Sequence, residues 1–348
     1  MHPRIALSRR LLLTRLLALA GLAAVAPGCA VGRRSAATNE PRPAGSPVPA
    51  RAVAPAAGPA AAGALPPSVS GPAGATGAGS ANASPPAARR PRVALALGGG
   101  AARGFAHVGV IEVLEQAGIR VDLVVGTSAG SVVGALYASG MNARTLRESA
   151  LTLEEGLLGD WALNVRGFLR GRALQDAVNR WVGSRPIERF PIPYAAVLTD
   201  LYDGSLKLAR SGDAGQAVRA SSAVPGLFEP VRIGEREFVD GGLVSPVPVR
   251  VARSLGADLV IAVDISAKPR FQETDSLPRV LLQAFAIMSQ HLAAPELREA
   301  DIALAPAVGD RGSADFSDRV GAMALGAQAM RAALPALQQR LRQWRPAS

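Results

Sequence analysis

Two short apolar runs, each ending abruptly in glycine, constrain this chain more than anything else in it. Val93-Ala-Leu-Ala-Leu97 runs directly into Gly98-Gly99-Gly100, and Val121-Asp-Leu-Val-Val125 runs into Gly126-Thr-Ser-Ala-Gly130. A nearly unbroken apolar run that stops at a turn signal suits a strand covered on both faces, because both of its alternating side-chain sets must be apolar. Behind each glycine cluster the period changes. Phe105, Val108, Ile111, Val113 and Leu114 recur at helical spacing and stop at Gly118, while a second apolar helix follows Gly130 to about Ser139. Strand, helix, strand, helix in so short a stretch predicts parallel pairing with right-handed crossovers, and therefore an α/β fold.

The same reading places later strands at 194–199, 206–209, 237–239, 258–264 and near 302–304. Helices are predicted at 145–157, 173–182, 216–221, 249–255, 279–292 and 325–344. The last carries Met330, Leu334, Leu337, Leu341 and Trp344 near one face, with a kink or break expected at Pro335. Such a stripe is either intramolecular packing or a lip facing a membrane. The folded part is expected to begin at Arg92. Residues 92–265 would form one α/β unit, and 266–348 a mainly helical part packed on the same domain.

Net charge is +11, but its location matters. Of 38 basic and 27 acidic residues, ten Arg and a single acid, Glu40, lie in residues 1–91, so from Arg92 onward the excess is only +2. A basic groove across the folded part is excluded as the main feature, and with it a nucleic-acid partner. One cysteine, Cys29, excludes an internal disulfide framework and a cysteine-based zinc site, and three histidines leave little for metal ligation.

Residues 1–28 read as an export signal: Arg4, Arg9, Arg10 and Arg15 precede an apolar run from Leu16 to Ala26 that is short for a membrane span. Ser8-Arg-Arg-Leu-Leu-Leu13 is similar to a twin-arginine export motif. Ala26-Pro-Gly-Cys29 resembles the lipobox of bacterial lipoproteins, which implies acylation of Cys29, and Ala30 next to it resembles lipoproteins sorted to the outer membrane. The expected location is therefore outside the cytoplasm, on a membrane surface through the N-terminal lipid anchor. From Ala30 to Arg90, 39 of 61 residues are Ala, Gly or Pro, with no aromatic and one leucine. Such a segment buries too little apolar surface to offset its ordering entropy. Residues 29–91 are read as a disordered tether.

Gly126-Thr127-Ser128-Ala129-Gly130 is a G-x-S-x-G between a strand and a helix, which suits a serine held on a sharp turn with its hydroxyl clear of the sheet. A helix N-terminus behind it favours an alkoxide. The alternative is a turn whose serine only caps the helix. Gly98-Gly99-Gly100-Ala101-Ala102-Arg103-Gly104 admits three readings. A dinucleotide fold needs an acid at the end of the next strand, and a phosphate loop needs Gly-Lys-Ser/Thr; both are missing. An oxyanion hole needs only backbone donors beside a nucleophile, and that requirement is met. Arg103 would brace this loop, meet an anionic head group, or lie solvated at the surface. The serine also needs a proton acceptor. His107 and His291 fit poorly, one inside a helix start and the other in an apolar helix. Asp240-Gly241-Gly242 follows a strand; burial raises an aspartate's pKa and makes it a usable base, although a β-turn would look the same.

Taken together, the three motifs in this order resemble the patatin-like phospholipase family. Thr199-Asp-Leu-Tyr-Asp-Gly204 and Ala220-Ser-Ser-Ala-Val-Pro225 also resemble stretches of its bacterial branch. The resemblance implies a three-layer α/β domain with a central, mostly parallel sheet, and a lipid acyl hydrolase that needs neither cofactor nor metal. It makes Ser128 the nucleophile and Asp240 the base, with backbone N–H groups of Gly99, Gly100 and Ala101, joined by Ala129, as the oxyanion hole. Ala223–Phe228 would line an acyl channel or belong to the core. The substrate would be a membrane lipid ester. Lipid or partner binding without turnover, and acyl transfer or thioester cleavage at the same site, are the alternatives.

Overall fold

The computed structural model describes residues 89–152, 161–164, 167–269, 274–309 and 317–346. The expected export signal, Cys29 and the tether up to residue 88 lie outside the described residues. Strands β1 (Val93–Leu97) and β2 (Leu123–Gly126) form where the two apolar runs predict them. Seven further strands are short: β3 (Trp161–Asn164), β4 (Gly167–Leu169), β6 (Leu206–Ala209), β7 (Val231–Ile233), β8 (Arg236–Asp240), β9 (Leu259–Val263) and β10 (Ile302–Leu304). β5 (Tyr194–Asp200) is longer and buried throughout.

The main sheet runs β10-β9-β1-β2-β5-β8-β7. From β10 to β5 every pair is parallel, whereas β8 joins β5, and β7 joins β8, antiparallel. β6 folds back on β5 as a hairpin. Alternation along the central strands feeds two layers. Leu95, Leu97, Val124 and Ile261 face one core with helix α1 (Phe105–Gln116), and Ala94, Ala96, Val125 and Ala262 face another with helix α6 (Val249–Ser254). Helices α2 (Ala129–Ala138), α3 (Ala143–Leu151), α4 (Arg172–Trp181), α5 (Ala214–Ser221), α7 (Leu277–Arg298) and α8 (Arg319–Gln343) complete the covering. The fold is the α/β architecture with a central, mostly parallel sheet that the sequence predicts.

Three local expectations need correction. β2 begins at Leu123, not Val121, because Asp122 accepts the Val93 N–H at 3.0 Å and pairs with Arg90 and Arg120; a carboxylate cannot sit inside a doubly covered ladder. The β7 strand escapes the pattern because three edge residues, one buried, one exposed and one half-buried, are too few to show alternation. Helix α8 runs unbroken through Pro335. It lies backbone to backbone on α1: a Cβ built at Gly109 would stand 1.9 Å from the Met323 carbonyl oxygen, and one at Gly326 1.9 Å from that of Ala106. Met330 and Leu337 are fully buried, and Leu334, Leu341 and Trp344 pack against the same core. The stripe is internal packing, not a membrane-facing lip, and its burial outweighs the roughly 3 kcal/mol disfavouring proline inside a helix.

Candidate active site

β1 and β2 are in-register neighbours, with Leu97 opposite Gly126, so both glycine turns leave the carboxyl edge of the sheet side by side. Ser128 precedes α2 at φ 53°, ψ −122°, a backbone conformation unfavourable for any residue with a side chain. The flanking glycines are needed for close approach. A Cβ at Gly126 would lie 2.4 Å from the Gly130 carbonyl oxygen, and one at Gly130 would lie 2.1 Å from that of Leu97. Neighbouring groups hold the strained turn. Ser128 N–H donates to Ser221 Oγ at 3.0 Å, and that hydroxyl donates on to the Val197 carbonyl at 2.8 Å. Thr127 donates through N–H to Leu97 O (3.0 Å) and through its hydroxyl to Ser245 O (2.8 Å). The Ser128 side chain makes no capping bond to α2 and remains partly open to solvent, which disposes of the helix-cap alternative.

Asp240 ends β8 opposite Leu198 of β5 and is fully buried. Its N–H donates to Ala223 O at 3.0 Å, and its carbonyl accepts the Thr199 hydroxyl at 2.8 Å. The side chain turns back on its own loop, Oδ1 accepting the Gly242 N–H at 2.7 Å. Burial pushes the Asp240 pKa up to about 7, while the Gly242 N–H and the Ser128 hydroxyl, its side-chain hydrogen-bonding neighbour, pull in the opposite direction. Among the described residues, Oδ2 is buried without a well-aligned partner. The backbone of β5 locks the two turns together: the Val197 carbonyl that accepts Ser221 also lies 2.2 Å from where a Cβ on Gly241 would stand.

The glycine loop closes the third side. A Cβ on Gly99 would lie 3.2 Å from Ser128 Cβ and 3.9 Å from Ser128 Oγ. Its donor inventory differs from the expectation. Gly98 N–H donates to Val263 O and Gly99 N–H to Pro246 O, each at 3.0 Å, so Gly99 is engaged as a strut and is not a free oxyanion donor. Among the described residues, the N–H groups of Gly100, Ala101 and Ala129 carry no hydrogen bond. Ala101 also has a positive φ of 51°. Gly104 lets the following turn lie against the elbow, since its Cβ would meet that of Ala129 at 3.0 Å.

Arg103 is only 5% exposed and donates from Nε to Ile265 O at 2.8 Å. It braces the loop and is neither solvated nor presented to a head group. His107, fully buried, donates from Nε2 to Gly98 O at 2.9 Å, and burial pushes its pKa down to about 4, so it is neutral. His291 is exposed on α7. Sequence reasoning missed Ser221 and Thr127 as supports of the elbow; the only signal for Ser221 was its place in the Ala220–Pro225 stretch. It also missed Glu296, buried on α7, which accepts the Ser245 hydroxyl at 2.8 Å and the Arg250 N–H at 3.1 Å.

The family model for patatin-like phospholipases matches residues 95–253, the stretch that holds all three motifs. An uncharacterized NTE family protein of Mycobacterium tuberculosis is 38% identical over 192 residues, covering 55% of this chain and 53% of that protein. Human patatin-like phospholipase domain-containing protein 6 is 35% identical over 192 residues, 53% of this chain and 14% of its own. A further NTE family protein of M. tuberculosis is 31% identical over 277 residues, 70% of this chain and 46% of its own. The chain thus spans about half, or less, of the length of these curated relatives. The crystal structure of VipD from Legionella pneumophila superposes with a TM-score of 0.42 at 14% identity over 72% of this chain and 67% of that one, a likeness too loose to add to what the fold itself shows.

Proposed function

We propose that the protein hydrolyses carboxylic esters of membrane lipids through a Ser128–Asp240 dyad. The observation that carries the reading is the strained, partly open serine at φ 53° beside a fully buried carboxylate whose pKa is raised to about 7. A base poised near neutrality is what proton abstraction from a serine requires. Asp240 takes the Ser128 proton as Oγ attacks the ester carbonyl. The developing oxyanion is stabilised by the free N–H groups of Gly100, Ala101 and Ala129, each worth about 10²–10³ in rate where it is well aligned. Collapse of the tetrahedral adduct releases the alcohol with the proton held by Asp240. Water then repeats the sequence on the acyl-enzyme, Asp240 accepting its proton, and frees the fatty acid. The partly covered residues Val224–Phe228, after fully buried Ala223, are offered as the near wall of the acyl channel.

The test is hydrolysis of phospholipid, lysophospholipid and short p-nitrophenyl esters by the full chain, with Ser128→Ala and Asp240→Asn beside it. The reading requires turnover by the parent and loss in both variants; equal rates in all three would refute it. We also propose that the chain is exported and anchored through acylated Cys29, a reading supported by the only cysteine standing where the apolar run ends. Cys29→Ala should move the protein from the membrane fraction to the soluble one, and unchanged membrane retention would refute the anchor.

A further inference from the structure

Helix α7 has an inverted surface. Its inward stripe is mixed: Phe285 faces the loop after Asp240, where a Cβ on Gly242 would meet its ring at 2.9 Å, and Ser289, Ala293 and Glu296 are buried behind it. Its outward face is the more apolar one. Leu277 is 71% exposed, Met288 47% and Val280 45%, with Leu281, Ile287 and Leu292 also open. From Leu277 to Pro295 the sequence carries one formal charge, Arg279, which pairs with Asp275. A helix apolar on its solvent side needs something to cover it, and a run of adjacent large apolar side chains marks an interaction surface.

We propose that this outer face docks on a lipid bilayer and delivers substrate to the site beneath it. The inference rests on the lipid-ester reading above and deepens it. Two observations favour a bilayer over a protein partner. The face is continuous with the site: Phe285 abuts the Asp240–Gly242 turn, and Leu281 abuts Gly226, whose Cβ would stand 2.8 Å from its Cδ1. It has no acid to be repelled by anionic head groups. At 1.5 Å per residue the exposed stretch is about 24 Å long, enough to lie in the interfacial plane with its side chains at the acyl boundary. Glu296, through Ser245, ties the far end of α7 to Thr127 of the serine turn. The docking helix and the nucleophile therefore share one rigid frame.

The experiment compares the full chain carrying Cys29→Ser, so that acylation plays no part, with the same chain bearing Leu277→Asp and Met288→Asp. Co-sedimentation with phosphatidylcholine–phosphatidylglycerol vesicles should fall at least about tenfold in the double variant, and high salt should not release the parent, because the attraction is apolar. Turnover of a short soluble ester reports separately on the site. If the parent lacks it, the hydrolase reading fails while the vesicle measurement still decides the docking. Equal vesicle binding by both proteins overturns the proposal, as does a parent dimer that the substitutions dissociate without changing vesicle binding. Should the double variant not fold, Met288→Trp supplies the second measurement. Its fluorescence should shift to the blue and be quenched by brominated acyl chains on adding vesicles, and an unchanged spectrum overturns the docking.

Discussion

The turn at Gly126–Gly130 leaves a parallel strand for a helix and holds its serine at positive φ, while the turn at Asp240–Gly242 leaves an antiparallel strand with its aspartate at an ordinary φ of −49°. The first stores its energy in the backbone. It needs glycines for close approach, a neighbouring strand carbonyl, and the Ser221 hydroxyl to hold Ser128 N–H. The second stores its energy in electrostatics, as a carboxylate without solvent and with one oxygen lacking a well-aligned partner. A nucleophile requires accessibility, so its cost falls on conformation. A base of raised pKa requires exclusion of water, so its cost falls on desolvation. The parallel half of the sheet supplies one turn, the antiparallel half supplies the other, and β5 joins them.

Substitutions should separate these two kinds of cost. Ser128→Ala should lower kcat/KM on a soluble ester by about 10⁴-fold or more while leaving stability unchanged or improved, because the nucleophile is lost but the fold is not. Asp240→Asn should lower it by about 10²–10⁴-fold, the range for a general base. Its effect on stability has a definite sign. The folded pKa of about 7 lies above the unfolded value near 3.8, so the aspartate stabilises the fold least once pH rises through 7. The asparagine variant should therefore melt higher than the parent at pH 8, by up to about 4 kcal/mol in the limit, and show little advantage at pH 4. Thermal melts at the two pH values check this.

Gly130→Ala places a methyl 2.1 Å from the Leu97 carbonyl oxygen and should destabilise by about 1–3 kcal/mol or more, with loss of activity following from displacement of the serine turn. Ser221→Ala should have the smallest effect. It leaves Ser128 N–H and the Val197 carbonyl without their shared partner, about 1–3 kcal/mol if no water replaces it, and should lower kcat more than it changes KM. An intact kcat in Ser221→Ala would mean that the elbow holds its strain without side-chain help, which would sharpen the contrast with the aspartate turn.

The two turns also differed in how far the sequence exposed them. The serine turn was legible because its requirement is local: glycines two residues either side, a strand before and a helix after. Asp240-Gly-Gly was not distinguishable from a surface β-turn by itself, because what sets it apart is burial supplied by residues 40 or more positions away, such as Val197 and Thr199. The glycine loop was half legible. Consecutive glycines signalled converging amides, but the strut from Gly99 to Pro246 depends on a distant loop and removes one expected donor. The outer face of α7 was the least legible, since an apolar helix reads as core until the sheet is assembled and one side is left without cover.

The most direct test of the dyad is the pH dependence of fluorophosphonate labelling, which reads nucleophile activation without lipid or product release. The account predicts a labelling rate that rises through pH of about 7 and levels off above it, exclusively at Ser128, with the inflection absent and the rate at least about a hundredfold lower in Asp240→Asn. Labelling that is equal at pH 5 and pH 8, or an asparagine variant that labels like the parent, would contradict it.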